Sequence, residues 1–472
     1  MMVQHSHIIT VILTLFTPLL ISAYDLDINS HDSICHAAKL AADGAWNYYD
    51  GFKYGGVIGM FIPPNYWWNS GQTFGGLLDY YKFCDPKNET LKKDIFDGMY
   101  SQVGDHFDFV PLNQTKTEGN DDQGVWGMAL LEAVERNFTN PKGHTWLKLT
   151  ENLFNSMNGR WDTKHCGGGL RWQIYKWNNG YNYKNTISNG SLFHIAARLA
   201  RITGNRTYFD IANKVWKWMD DVGFLGEDTK GNFWLFDGAE IEDDCRKITV
   251  LRWSYNYGIV LSGSAYMYNI TEDEVWKNRT KEILDASLSF FFHNKIMQET
   301  TCVDKDNCNN DQRSFRSLFA RGLVLTSLVM PETRSKIMPY LKKSAAGAAA
   351  SCSGGSDGIS CGMDWSKGKW DGVYGLGEQV SALETIMSLI VKEPDPIKHK
   401  TTSKTVSKTT LKTTTSKTSS TTSSKTSSKT SSSTSLSRKD PTSTALIIKK
   451  NSESHLSTSS LIKFVPFLLQ LL

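Results

Sequence analysis

The sequence contains no Cys-x-x-Cys pair, little strand-like alternation and, between about residues 27 and 392, no linker rich in Pro or Ser. The first absence leaves zinc without a familiar ligand spacing, although His165 stands beside Cys166. The second argues against a sheet-built fold, and the third against dividing the central body into separate domains. Long apolar runs are missing as well. The two that exist, residues 8–20 and 461–472, are shorter than the roughly 20 residues a spanning helix needs. A general excess of basic charge is also lacking. Residues 398–450 carry eleven Lys and one Arg against Asp440, a net of +11, whereas the whole chain is +4, so the remainder sums to −7. Positive charge scattered through a Ser/Thr tract is solvation rather than a nucleic-acid surface.

What the chain does contain begins at its ends. A weakly polar start, the apolar run 8–20 and the small residue Ala23 read as a secretory signal over 1–23. Residues 393–450 are dominated by Ser, Thr and Lys and have too little apolar surface to offset ordering entropy, which predicts a disordered stalk carrying O-linked sugar. Residues 451–472 combine small residues around Asn451 and Ser452, a polar spacer and an apolar tail, the pattern of a GPI-anchor signal. The expected location is therefore the outer face of the cell membrane and the cell wall, with the membrane reached through the anchor.

Eight cysteines on a secretory route suggest four bridges. Cys302 with Cys308 and Cys352 with Cys361 close short loops, leaving Cys35 with Cys84 and Cys166 with Cys245. Oxidation argues against thiolate ligands, so no metal is expected. Seven sequons agree with secretion, although Asn189 lies inside a motif that argues against its carrying sugar.

Between 24 and 392 the texture is helical. Apolar residues recur every three or four positions over 126–134, 192–199, 211–219, 259–267, 283–291, 318–328 and 380–390. A Gly- or Asn-containing loop entering a helix rich in small residues recurs six times, near Ser70, Asp121, Ser188, Tyr255, Ser314 and Tyr374. Six helical hairpins at intervals of about 50–70 residues predict an all-α toroid with a loop-rich mouth.

At one of these starts, Glu118-Gly119-Asn120-Asp121-Asp122-Gln123, two adjacent carboxyl groups meet a helix. Such a pair is the equipment of glycosidic-bond chemistry. The competing reading, acids that only cap a helix, fits one Asp better than two. Aromatics gather in the same loops: Tyr66-Trp67-Trp68, Trp126, Trp172 beside Arg171, and Tyr255 beside Asn256. Their faces suit the apolar faces of sugar rings, although any single Trp is more often core.

Five motifs in order, Tyr66-Trp67-Trp68-Asn69-Ser70-Gly71, Asn120-Asp121-Asp122-Gln123, Cys166-Gly167-Gly168-Gly169-Leu170-Arg171-Trp172, Lys184-Asn185-Thr186-Ile187-Ser188-Asn189-Gly190 and Tyr374-Gly375-Leu376-Gly377-Glu378-Gln379, resemble glycoside hydrolase family 76. The resemblance covers nearly all of 24–392, and its fungal, GPI-anchored members are called mannan endo-1,6-alpha-mannosidases. It implies an (α/α)6 barrel, a retaining mechanism on α-1,6-linked mannose without cofactor, Asp121 as nucleophile and Asp122 as acid/base. It also implies cell-wall biogenesis, with α-mannan or the mannose core of GPI glycans as donor and β-glucan as an acceptor. The sugar-binding residues expected are Tyr66, Trp67, Trp68, Asn120, Gln123, Trp126, Arg171, Trp172, Asn189, Tyr255, Asn256 and Gln379. The acid/base needs the more apolar surroundings, so Trp126 is expected to lie over Asp122, and the nucleophile to keep Asn120 or Gln123 as polar company. The alternative is a glycan-binding wall tether that catalyses nothing.

Overall fold

The computed structural model describes residues 24–303, 305 and 307–392. The expected leader (1–23), stalk (393–450) and anchor signal (451–472) lie outside the described residues. Among the described residues thirteen helices follow in order: α1 (His31–Trp46), α2 (Trp67–Cys84), α3 (Glu89–Tyr100), α4 (Asn120–Glu135), α5 (Trp146–Gly159), α6 (Thr186–Thr203), α7 (Arg206–Asp221), α8 (Ser254–Thr271), α9 (Glu274–Phe290), the short α10 (Thr300–Val303), α11 (Phe315–Val329), α12 (Arg334–Ala350) and α13 (Leu376–Met387).

Each of the six sequence starts falls at the head of an inner helix: α2, α4, α6, α8, α11 and α13. These pack in sequence order, and α13 meets α2 to close the ring, while α1, α3, α5, α7, α9 and α12 pack outside. The result is an (α/α)6 barrel. Composition explains the division of labour. Outer α7 buries Tyr208, Ala212, Val215, Trp216 and Met219 along one side, as an amphipathic surface helix does. Inner α8 is buried at nearly every position from Ser254 to Met267 and depends on Gly, Ser and Ala to let neighbours approach. Its Gly258 lies against α11 so closely that a Cβ there would sit 2.7 Å from Phe319 Cα.

Strands of two or three residues occupy the loops. Tyr183–Asn185, Gly238–Glu240 and Ile248–Thr249 form an antiparallel three-stranded sheet with Tyr183 opposite Glu240. Segments this short leave no visible alternation in the sequence. The four expected disulfides, Cys35–Cys84, Cys166–Cys245, Cys302–Cys308 and Cys352–Cys361, are all formed. Cys166 is thus bonded to Cys245 rather than free beside His165 for zinc. No helix among the described residues is long and apolar enough to cross a membrane.

The inner barrel away from the mouth is crossed by a buried ionic network. Arg198 Nη2 lies 3.0 Å from Glu132 Oε1 and 2.6 Å from Glu135 Oε2. Arg136 pairs with Asp79 at 2.6 Å, and Arg321 reaches Glu132 at 3.2 Å and also Glu384. Burial alone would lift the Glu132 carboxyl, but Arg198, Arg321 and Arg136 together bring it down to about 2. His194, which sequence left without a role, is buried here, 3.0 Å from Ser262 Oγ and 3.3 Å from Arg198.

Candidate active site

The first turns of α2, α4, α6, α8 and α11 line one cleft of about 430 Å3. Inner helices therefore run parallel, with their N-termini at the mouth. Asp121 and Asp122 occupy the first turn of α4, where the N-cap is Gly119. Asp122 Oδ2 accepts the Gly119 N–H at 2.6 Å, which fixes that carboxyl against its own helix start. Asp121 Oδ2 accepts the indole N–H of Trp172 at 2.7 Å. Its other oxygen, Oδ1, is buried and unpartnered. Both carboxyls converge over Gly119. A Cβ there would clash with Asp121 Oδ1 and stand 3.0 Å from Asp122 Oδ2, so those oxygens lie no more than about 5.2 Å apart.

Burial raises both carboxyls above the ordinary range. Asp122, only 9% exposed, is lifted further by repulsion from Asp121, with Glu118 and Asp311 adding to it and the Gly119 N–H opposing. The Trp172 donor holds Asp121 down by comparison. Asp121 is therefore the first of the two to ionise, and Asp122 keeps its proton to higher pH.

Of the twelve residues expected to bind sugar, Tyr66, Trp67, Trp68, Trp172 and Tyr255 line the cleft. Trp67 and Trp68 lie within the first turn of α2 rather than before it, because Asn69 Oδ1 caps the Tyr66 N–H at 2.9 Å. Tyr255 stacks on Phe315 at 3.8 Å, with Trp68 beside the same ring.

The remaining seven do not line it. Trp126 is fully buried between Trp67, Phe74 and Phe109 and does not cover Asp122; one turn along an inner helix, its side chain points into the core. Asn120 and Gln123 turn away from Asp121. The Asn120 Nδ2 donates to Arg171 O at 2.9 Å, and both side-chain oxygens accept from Arg160. Asn189 is buried in α6, where Oδ1 accepts Leu170 N–H at 2.7 Å and Nδ2 donates to Leu170 O at 3.1 Å. Arg171 pairs with Asp162 at 3.0 Å and covers the Tyr181 ring. Asn256 is buried with both amide atoms unpartnered. Gln379 joins the Cys361 N–H at 3.0 Å to the Tyr24 hydroxyl, on the α1 side of the barrel.

Asn120, Asn189 and Lys184 share a single task, which is to place the loop that delivers Trp172. The Asn120 N–H bonds Trp172 O at 2.7 Å, and Gly119 bridges Gln173. Lys184, fully buried, donates to the carbonyls of His165 and Gly168 at 2.8 and 2.5 Å.

Sequence reasoning missed several lining residues, chiefly Glu118, Asp311, Phe315 and Gln173. Neither Glu118 carboxyl oxygen has a hydrogen-bond partner among the described residues, and burial pushes that group up to about 8. Asp311 is raised by burial while the Trp68 indole opposes. A visible signal existed for both acids, since each stands in a loop entering an inner helix.

A family model for glycosyl hydrolase family 76 matches residues 33–402. The chain belongs to this family. It is 60% identical over 388 residues to the mannan endo-1,6-alpha-mannosidase DFG5 of Candida albicans, covering 82% of this chain and 86% of that one. It is 51% identical over 376 residues to the mannan endo-1,6-alpha-mannosidase DCW1 of Saccharomyces cerevisiae, covering 79% and 83%. Among solved structures, Dfg5 from Chaetomium thermophilum in complex with glucosamine superposes with a TM-score of 0.74 at 34% identity, over 79% of this chain and 94% of that one. An inactive variant of the alpha-1,6-mannanase GH76A of Salegentibacter sp. HEL1_6 in complex with alpha-1,6-mannotriose shares the fold, with a TM-score of 0.60 at 16% identity, over 75% and 98%. This family 76 chain is thus a glycoside hydrolase of the fungal cell-wall type.

Proposed function

We propose that this family 76 enzyme is a retaining, endo-acting α-1,6-mannosidase with Asp121 as nucleophile and Asp122 as acid/base. The single observation that carries the reading is the convergence of the two carboxyls over Gly119, which keeps an oxygen of one no more than about 5.2 Å from an oxygen of the other. Retaining enzymes keep their acids about 5–5.5 Å apart, whereas inverting ones need room for a water between them. The Asp121 carboxylate, on the wall of the cleft, attacks the anomeric carbon, while Asp122 gives its proton to the departing glycosidic oxygen. Asp122, now a carboxylate, then takes a proton from an incoming hydroxyl whose oxygen displaces Asp121 from the sugar. Water as that hydroxyl gives hydrolysis; a glucan hydroxyl gives transfer.

The donor is mannan or the mannose core of a GPI glycan, and transfer to wall glucan would attach GPI proteins to the wall. Support for the substrate comes from the Candida and Saccharomyces relatives, both mannan endo-1,6-alpha-mannosidases. Support for a membrane-anchored position comes from the leader, stalk and tail in the sequence. The experiment is Asp121→Asn on α-1,6-mannooligosaccharides, with products analysed with and without a β-glucan acceptor. Turnover should fall by several orders of magnitude while mannoside binding persists. Retention of the cellular role by this variant would point instead to a tether that only binds glycan.

A further inference from the structure

Behind the loop that carries Trp172 lies a second hollow of about 440 Å3, and Gln173 belongs to the wall of both this hollow and the cleft. Arg160, Lys164, His165 and Arg171 line it, with Asp162 as the facing carboxylate. Asp162 is already committed. Arg171 and Lys184 stand 3.0 and 3.4 Å from it, and His165 Nδ1 at 3.0 Å, so cations outnumber the acid they share.

Arg160 and Lys164, by contrast, have no ion pair among the described residues. Arg160 spends three of its donors on neutral oxygens: Asn120 Oδ1 at 2.8 Å, Ser156 Oγ at 2.8 Å and Gln123 Oε1. A guanidinium has five, so two remain. The acids nearest to it in charge, Glu118 and Asp108, make no ion pair with it, and Glu118 is held largely protonated near neutrality by its burial. Lys164 contributes only its backbone N–H, to Asp162, which leaves the ammonium free. His165 retains Nε2. For Arg160, whose guanidinium is shielded, lacking an anion is expensive unless a ligand supplies the missing charge, and the exposed Lys164 adds a second positive charge at the rim of the same hollow. Such a surplus is also out of keeping with a chain that is net negative outside its stalk.

We propose that this hollow is an anion subsite that holds a phosphate-class group carried by the glycan whose sugar lies in the neighbouring cleft. Arg160 offers two spare N–H donors and Lys164 an ammonium, a set that matches the several oxygens of a phosphate better than a neutral hydroxyl. The shared Gln173 wall places the anion next to the reacting sugar. The glycan half of the statement rests on the function proposed above; the anion half does not.

Two measurements separate these halves. Titration with inorganic phosphate and mannose 6-phosphate should show saturable binding to the full chain, weakened at least about tenfold by Lys164→Glu, in line with losing one charge-assisted hydrogen bond. Arg160→Lys, which keeps charge and removes the fork, should weaken it as well. Turnover of a phosphorylated α-1,6-mannooligosaccharide should exceed that of its neutral counterpart in kcat/KM, with Lys164→Glu reducing the ratio about tenfold. Efficient turnover without phosphate binding or preference would overturn the subsite and leave the mannosidase reading standing. Phosphate binding sensitive to both variants without turnover of either sugar would do the reverse.

Discussion

Replacing Trp172 by Phe removes one hydrogen bond and tests the division of labour between the two acids. Among the described residues the indole N–H is the one side-chain donor to Asp121, at 2.7 Å, and the backbone N–H groups of Asp121 and Asp122, which also favour its ionisation, are unaffected by the change. The backbone bonds that place the loop, Asn120 N–H to Trp172 O and Trp172 N–H to Tyr183 O, both 2.7 Å, survive the change. A hydrogen bond to a charged group contributes about 1.5–3 kcal/mol. At about 1.4 kcal/mol per pH unit, that is roughly one to two units. The donor stabilises the carboxylate, so its loss raises the Asp121 pKa. The acidic limb of the kcat/KM profile should move up by that amount, while the alkaline limb, set by the Asp122 proton, stays nearly fixed. Below the shifted limb, the variant should lose roughly 10- to 100-fold in rate. The assay is a full pH profile on an α-1,6-mannooligosaccharide. An unchanged acidic limb, or a loss confined to KM, would refute the assignment of Asp121 as the group that must ionise.

Other expectations concern the scaffold. Arg198→Met should destabilise the protein by about 3–5 kcal/mol in chemical denaturation, because Glu135 loses its ion-pair partner and Glu132 keeps only Arg136 and Arg321; a change below about 1 kcal/mol would mean that the network is electrostatically redundant. Gly322→Ala drives a methyl into the Gly258 backbone, 2.6 Å from its Cα, and should cost about 1–3 kcal/mol as the inner helices α8 and α11 separate. A neutral or stabilising outcome would contradict the close helix contact. Thermal stability should fall as pH rises from about 5 to 8. Burial raises Glu118 to about 8 and Glu299 and Glu384 to about 7, so the folded chain holds protons that the unfolded chain, with ordinary carboxyls near 4.3, releases. Calorimetry showing a flat or rising melting temperature over this window would reject that sign.

How far the sequence reached can be judged from particular residues. The inner helix starts were legible because each required a Gly- or Asn-bearing entry loop followed by small residues, a local pattern repeated six times. The short strands were not, since two or three residues carry no period. Trp126 shows where periodicity stops. An inner helix is buried on every side, so no polar face tells which residue meets the cleft and which meets the core. The same ambiguity affected Asn120 and Asn189, amides whose chemistry suits sugar hydroxyls and backbone alike; the structure gives them to the loop of Trp172.

The sequence by itself determined the chemistry available: adjacent acids at a helix start, aromatics in loops, cysteines in bridging pairs and a helical repeat that closes on itself. Only the tertiary structure decided how the two acids differ. The donor that favours ionisation of Asp121 arrives from a loop 51 residues further along the chain, and proton affinity is set by neighbours in space, which no local pattern of residues specifies.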